Sequence, residues 1–410
     1  MSRPTHVVVL TRSFCFPHGL ASAERARLVG RALAEGGAHV LVLCTRAVDR
    51  SPAFGNTAVS GVVDGVAFEH TCGRTVRAEG FVARRASELR GAAVALWRLR
   101  RLRRRGEADV VYFWWGELHW QPAPAFYRRC LAALGIPVVL ELNELPWTLL
   151  PDRSLPDRLF RQLAGCAGVL AISPPLAEWA SRSSRQLGGR VAVHELSILV
   201  DVSEQTVQEY PDGAPTVLLA ASMAYERLVR LALSAMDSVW QEQPACRLVL
   251  TGVDEREPRA RWLLELAAAG GLDERVHLKG FVARDELLAL YSSAHALLMP
   301  LEDDAIARYR APTKIGEYLA SGRPVVMSSV GQLGGIFTDG ETAFLAPAGS
   351  PKGFAAAICR ALQDPARADA VGRSGRELAA QRFHYARHAE PLCAFFAQVA
   401  AAAGSERSWG

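Results

Sequence analysis

The chain has 410 residues, 50% of them hydrophobic and 22% charged, with a formal net charge of +5. An apolar fraction of that size excludes a mainly disordered chain, and Gly and Pro are too sparse for a collagen-like or low-complexity one. The positive excess is local. Six arginines fall between residues 98 and 105, and without them basic and acidic residues nearly balance, which excludes a generally basic, nucleic-acid-coating protein.

In chain order, residues 6–10 (HVVVL) form a short β-branched apolar run, the pattern of a buried parallel strand. A loop with Pro17 and Gly19 follows, then helical spacing over 22–35, stopped by Gly36-Gly37. Residues 39–44 read as a second strand, completing a β-loop-α-β unit; 110–114, 138–142 and 168–172 are further strands of one half-sheet. The polar stretch 201–215, with two prolines and a glycine, reads as a linker.

Beyond it the alternation restarts. Strands are predicted at 216–220, 247–251, 276–279, 296–299 and 324–328, and helices at 227–241, 262–269, 285–292 and 314–320. A last helix is predicted over 384–402. The expectation is an α/β chain of two Rossmann-like doubly wound domains. Residues 1–200 form the first and 216–383 the second, and 384–410 form a C-terminal helix that packs back on the first, with its tail.

Several chemistries are absent. The eight cysteines contain no CxxC, and the ten histidines contain no HExxH or HxH. GxSxG, GxxxxGK[ST] and a GxGxxG after the first strand are also missing. No charged leader and no run of 18 apolar residues is read, so a cytoplasmic chain with reduced thiols is expected. The arginine run falls on a helical stretch, 92–105, with Val94, Leu96, Trp97, Leu99 and Leu102. A basic amphipathic helix of this kind suits peripheral contact with an anionic membrane, and equally a solvated face covering a sheet.

Ligands of open parallel sheets bind outside the carboxyl ends of the strands. The stretch PTKIGEYLASGRPVV at 312–326 places Glu317 one turn into a helix that Pro312-Thr313 would cap. A phosphate at that helix start and a carboxylate accepting sugar hydroxyls fit this spacing, as does an ordinary surface helix.

At these residues the sequence resembles the GT-B glycosyltransferases of the large retaining family 4. VHLKGFVARDELLALYSSAHALLMP (276–300), KIGEYLASGRPVV (314–326) and VGQLGGIFTDGETAFLAP (330–347) carry the resemblance. PHGLASAERARLVGRALAEGGAHVLVL (17–43) and ILVDV (198–202) extend it to nearly the whole chain.

The resemblance implies the GT-B architecture, with two domains facing across a cleft that closes about residues 201–215. It implies a nucleotide-sugar donor as co-substrate, with no metal and no other cofactor. Glu317 would hold the ribose hydroxyls, Arg227 the diphosphate, and Phe281 and Val282 the base. Gly19 would let backbone approach the phosphates, and Thr313 and Lys314 would stabilise the departing diphosphate. Three positions depart from the pattern: Ser222 stands at a usual diphosphate cation, Tyr309 at a usual donor-sugar carboxylate, and Gly335 at a usual glutamate. Arg230 or Arg310 would replace the missing cation.

Glu144 and His119 are expected on the acceptor side, with Trp114, Trp115, Trp120 and Trp147 as an apolar wall for a small-molecule, glycan or lipid-linked acceptor. The implied activity is transfer with retention of configuration, in polysaccharide, glycoconjugate or secondary-metabolite biosynthesis. A nucleotide-sugar isomerase and a non-catalytic partner subunit of the same fold are the alternatives.

Overall fold

A computed structural model describes residues 3–49, 55–114, 122–143, 160–161, 163–254, 258–263, 265 and 274–405. Two compact units emerge: 1–199 together with 385–410, and 200–384.

The first unit is built on β1 (His6–Thr11), β2 (His39–Cys44), β3 (Ser60–Val63), β4 (Val66–His70), β5 (Val110–Trp114), β6 (Val138–Leu142), β7 (Gly168–Ala171) and β8 (Ala192–Glu195). Its eight-stranded sheet runs β3-β4-β2-β1-β5-β6-β7-β8. Only β3 is antiparallel to its neighbour; Val8 of β1 lies in register with Leu41 of β2 and Val111 of β5. Apart from His6 at the start of β1, the central strands β1, β5 and β6 are buried throughout, as parallel strands covered on both faces must be. The β3–β4 hairpin, not read from the sequence, turns on Asp64-Gly65, both at positive φ.

Helices α1 (Ala21–Glu35), α2 (Phe81–Arg105), α3 (Pro122–Ala133) and α4 (Pro174–Gln186) accompany this sheet. The arginine-rich helix thus begins eleven residues earlier than its predicted start at 92. The last helix, α12 (Ala389–Ser405), follows a 3-10 turn at Tyr385–His388 and packs on α1. A Cβ on Gly36 would stand 2.8 Å from the Ala389 carbonyl oxygen, so only glycine lets the two helices approach this closely. Leu392, Phe395, Phe396 and Val399 fill the same core as Val7, Val9 and Leu33.

The second unit contains β9 (Thr216–Ala220), β10 (Arg247–Thr251), β11 (Val276–Leu278), β12 (Ala296–Met299), β13 (Val325–Ser329) and β14 (Phe344–Pro347), in the order β11-β10-β9-β12-β13-β14 and all parallel. Its helices are α5 (Glu226–Glu242), α6 (Arg284–Ser293), α7 (Ala305–Tyr309), α8 (Lys314–Ala320), α9 (Leu333–Ile336), α10 (Pro351–Gln363) and α11 (Pro365–Arg382). Most of the predicted helix at 262–269 lies outside the described residues.

The stretch predicted as a linker is part of this second unit. Asp201 caps a 3-10 turn at Val202–Glu204, and Arg376 donates to the Val202 carbonyl at 2.8 Å. Arg323, buried, donates to the Glu209 carbonyl at 2.5 Å and lies over the Tyr210 ring. These contacts anchor the segment on unit two, which a polar, proline-containing composition does not reveal.

In both sheets the chain steps outward from one central strand and then returns to its other side. The switch points lie between β1 and β5 in the first unit and between β9 and β12 in the second. The carboxyl ends of those strand pairs are where an open α/β sheet leaves room for a ligand.

Candidate functional site

The second unit gathers polar side chains around its switch point. The loops after β9, β10 and β11 are tied edge to edge: Ala221 N donates to Thr251 O at 3.0 Å, and Gly252 N to Gly280 O at 2.5 Å. Gly252 sits at φ +82°, and a Cβ there would be 3.2 Å from the Ala221 carbonyl oxygen. Glycine thus serves both the turn and the close approach. Across the switch point, Tyr318 of α8 is buried, and its hydroxyl accepts from Ala220 N at 2.8 Å. This bond fixes α8 to the end of β9.

Glu317 lies on α8 with its side chain 12% exposed. Arg284 Nη1 donates to its Oε1 at 3.0 Å and the Tyr291 hydroxyl to its Oε2 at 3.4 Å, while Lys314 Nζ stands 4.0 Å away. Arg284 also reaches Glu204 Oε2 at 2.5 Å, and Gln205 Nε2 donates to the Glu317 carbonyl at 2.8 Å. Burial alone would push the Glu317 carboxyl up. The Lys314 and Arg284 cations and the two hydrogen bonds outweigh it, so the group is held below the ordinary carboxylate range. Tyr291 is pushed well above the usual phenol by burial and by the Glu317 charge, so it remains a donor. The result is an ionised carboxylate with little solvent exposure on a fixed backbone.

Sequence reasoning singled out Glu317 and Lys314 but missed Arg284, Tyr291, Gln205 and Glu204. A signal was available. Arg284 and Tyr291, seven residues apart, share one face of a helix that opens directly after Phe281-Val282. Phe281 is 47% exposed and Val282 half-buried, so neither is core.

The diphosphate residues are arranged differently from the expectation. Arg227 on α5 is 61% exposed and spans the switch point, pairing with Glu302 and, at 3.0 Å, with Asp304 Oδ2. Asp304 in turn caps α7 by accepting from Ala307 N at 2.9 Å. The acidic loop 302–304 is therefore an ion-pair partner of Arg227 rather than a merely solvated segment. Arg230 pairs with Glu226 and stacks on Trp262 at 3.8 Å. Arg310 stacks on Tyr225 at 4.4 Å. Ser222 precedes the 3-10 turn Met223–Tyr225, and Tyr309 closes α7.

Thr313 does not cap α8 with its side chain. Its backbone is already helical, at φ −60° and ψ −27°, and a capping hydroxyl needs an extended backbone at that position. Gly335 faces open space, so its departure from the family pattern removes a side chain without a packing cause.

In the first unit, Gly19 precedes α1, and a Cβ there would come within 2.8 Å of the Ala23 Cβ. Its bareness is thus required by packing on the helix. Trp114 is buried, edge-on to Phe14 at 5.5 Å and to Tyr112 at 5.7 Å. It belongs to the core and not to an acceptor wall, because β5 is covered on both faces. Glu144, His119, Trp115, Trp120 and Trp147 lie outside the described residues. Beside this core, buried Glu141 accepts from Arg25 Nε at 2.6 Å and from the Tyr112 hydroxyl. Arg25 is satisfied further by the Leu196 and Ser197 carbonyls.

Residues 214–364 match the family model described as glycosyl transferases group 1. A glycogen synthase of Mycobacterium tuberculosis is 27% identical over 165 residues, which span 40% of this chain and 38% of that protein. An alpha-D-kanosaminyltransferase of Streptomyces kanamyceticus is 22% identical over 309 residues, covering 68% of this chain and 75% of its own length. Among solved structures, a sucrose-phosphate synthase from Thermosynechococcus elongatus superposes with a TM-score of 0.70 at 18% identity, over 97% of this chain and all of its own. Anabaena HepE in complex with UDP-glucose gives a TM-score of 0.63 at 16% identity, over 98% of this chain and 99% of its own. At these identities the likeness is one of fold, and that fold is GT-B.

Proposed function

We propose that this GT-B chain, whose second unit is a glycosyl transferases group 1 domain, is a glycosyltransferase that takes a sugar from a nucleoside-diphosphate donor. The observation that carries the reading is the Glu317 cluster: an ionised carboxylate held by Arg284, Tyr291 and Lys314 at the switch point of that domain, with the exposed Phe281 three residues before Arg284 in the chain. The carboxylate accepts the two ribose hydroxyls, and the Phe281 ring offers a face to the base. One structural neighbour, Anabaena HepE, was solved in complex with UDP-glucose, which makes UDP-sugars the first donors to try.

Charge building on the departing diphosphate is met by guanidinium and ammonium groups: Lys314 at the start of α8, Arg310 just before it, and Arg227 across the switch point. We assign no metal to this step. Arg227 must exchange Glu302 and Asp304 for phosphate oxygens when the donor binds. The C1–oxygen bond of the donor breaks with its electron pair going to the diphosphate. The acceptor adds on the face the diphosphate leaves, its proton passing to a phosphate oxygen, so configuration is retained. Polysaccharide, glycoconjugate and secondary-metabolite acceptors all fit this chemistry.

The test is calorimetry of the intact chain with UDP, UDP-glucose and a panel of other nucleotide-sugars, followed by product analysis with and without acceptors. Uptake of at least one donor and its turnover with an acceptor are expected. No uptake of any nucleoside-diphosphate sugar would overturn the reading. The Arg227 ion pairs, with Ser222 and Tyr309 in place of a cation and a carboxylate, favour a second reading as a donor-binding partner subunit. Donor uptake without turnover on any acceptor is its signature.

A further inference from the structure

The first unit carries a feature that glycosyl transfer does not use. Helix α2 contains nine arginines and one glutamate, whereas the whole chain has a net charge of only +5. Its inner face is narrow: Gly91, Ala95, Leu99 and Leu102 are buried. A Cβ on Gly91 would stand 2.0 Å from the Thr45 carbonyl oxygen, so the helix is seated backbone against backbone.

The outer face is apolar where a solvated helix would be polar. Phe81, Val82, Leu89 and Trp97 are exposed by 66%, 78%, 72% and 58%. At 100° per residue, Val82, Ala86, Leu89, Ala93, Trp97, Arg100 and Arg104 fall within a stripe of about 80° and run for about 33 Å. The stripe is apolar through Trp97 and basic beyond it.

The arginines around it are placed for an interface. Arg85 lies over the Phe81 ring at 5.3 Å and Arg101 over the Trp97 ring at 5.5 Å. Such stacking holds each guanidinium against an aromatic face, so cation and apolar ring are presented side by side. The single acid, Glu88, is turned inward to Arg12 and Arg46 and also meets Arg85. Among the described residues Arg100, Arg101, Arg104 and Arg105 are exposed and make no ion pair. No helix among the described residues is long and apolar enough to cross a membrane, and α2, with ten charged side chains, can meet a bilayer only from its surface.

We infer that α2 is a membrane-docking element: its Val82–Trp97 row enters the headgroup region of an anionic bilayer while Arg100, Arg101, Arg104 and Arg105 pair with lipid phosphates. Charge complementarity selects anionic lipid, and the apolar row selects a bilayer over a soluble polyanion. A nucleic acid would use the arginines and leave Leu89 and Trp97 in water.

Co-sedimentation of the full chain tests this. One set of vesicles is pure phosphatidylcholine, and the other is phosphatidylcholine with about one third phosphatidylglycerol. The chain is expected to pellet with the anionic vesicles only, and less so at high salt. Arg100→Glu/Arg104→Glu should weaken binding by at least about 25-fold, roughly fivefold for each arginine removed. Leu89→Ser/Trp97→Ser keeps every charge and should weaken it by about tenfold or more.

All four side chains are exposed, so an unchanged melting temperature is the control for folding. No retention on anionic vesicles would overturn the proposal. So would wild-type retention of Leu89→Ser/Trp97→Ser, which would mark simple polyanion binding, with RNA competing equally well for both proteins. Donor uptake is measured separately and does not depend on the result.

Discussion

Removing the Glu317 carboxylate should separate donor binding from folding. A carboxylate offers about four lone-pair positions. Arg284 fills one at 3.0 Å and Tyr291 a second at 3.4 Å, a long bond, which leaves about two for the ribose hydroxyls. Hydrogen bonds to a charged acceptor are worth about 1.5–3 kcal/mol each, so Glu317→Ala should cost about 3 kcal/mol or more of donor affinity, or roughly 150-fold in Kd. Glu317→Gln keeps the shape and loses the charge. Charge-assisted bonds are about twice as strong as neutral ones, so this change should cost about 2 kcal/mol, roughly 30-fold.

The assay is calorimetry with the best donor and with its 2′-deoxy analogue. Wild type should prefer the ribose form, and Glu317→Ala should lose most of that preference. Equal donor affinity in wild type and Glu317→Ala, or an undiminished ribose preference in the variant, would refute the reasoning. Thermal melting of both variants guards against a folding artefact, because Arg284 keeps Glu204 as a partner.

Other outcomes are expected elsewhere. Glu141→Ala leaves the Arg25 guanidinium charged and 2% exposed; it should cost about 3–5 kcal/mol in urea unfolding, and a loss below about 1 kcal/mol would contradict the buried-pair account. Gly91→Ala forces a methyl against the Thr45 carbonyl and should destabilise the first unit by about 1–3 kcal/mol; a neutral result would show that α2 can lift off β2 freely. His70, His194 and His295 are held below the ordinary value of 6.5, chiefly by burial. The unfolded chain then binds more protons than the native one as pH falls through 6.5, so stability should be level above that value and decline below it. An equal urea midpoint at about pH 7.5 and pH 5.5 would refute this. Glu317 has the opposite kind of group but the same direction of loss. Its lowered carboxyl stabilises the fold above its unfolded value of 4.5 and ceases to as pH drops through the native value, so Glu317→Gln should flatten the acid limb of the stability curve.

The parts of the fold that were legible were those with one dominant signal. Runs such as HVVVL at 6–10 and ALLM at 296–299 are buried on both faces, so their composition alone marks them as parallel strands. The β3–β4 hairpin was missed although Asp64-Gly65 is a strong turn signal, because SGVV is mostly exposed and has no apolar face to announce it. Composition marks helix α2 only from residue 92, since its first turns carry their apolar side chains outward, against the rule that places such residues inside. The segment 201–215 looked like a connector because its anchors, Arg323 and Arg376, come more than a hundred residues later.

At the site, Glu317 stood out through its family motif. Its partners did not, since Arg284 and Glu204 meet only once the sheet has brought α6 and the Val202–Glu204 turn together. Arg227 was legible as a cation and illegible as an ion pair, because the carboxylates that hold it arrive on the far side of the switch point.

The course of the backbone has a consequence for biosynthesis. Unit two is one uninterrupted stretch, 200–384, whereas unit one needs residues from both extremities. A ribosome therefore finishes the later lobe before the earlier one can close. Until Phe395 and Phe396 emerge, the nascent amino-terminal sheet lacks two rings of its interior and stays open to chaperones and proteases. Deleting the final helix would thus cripple the lobe that was translated first.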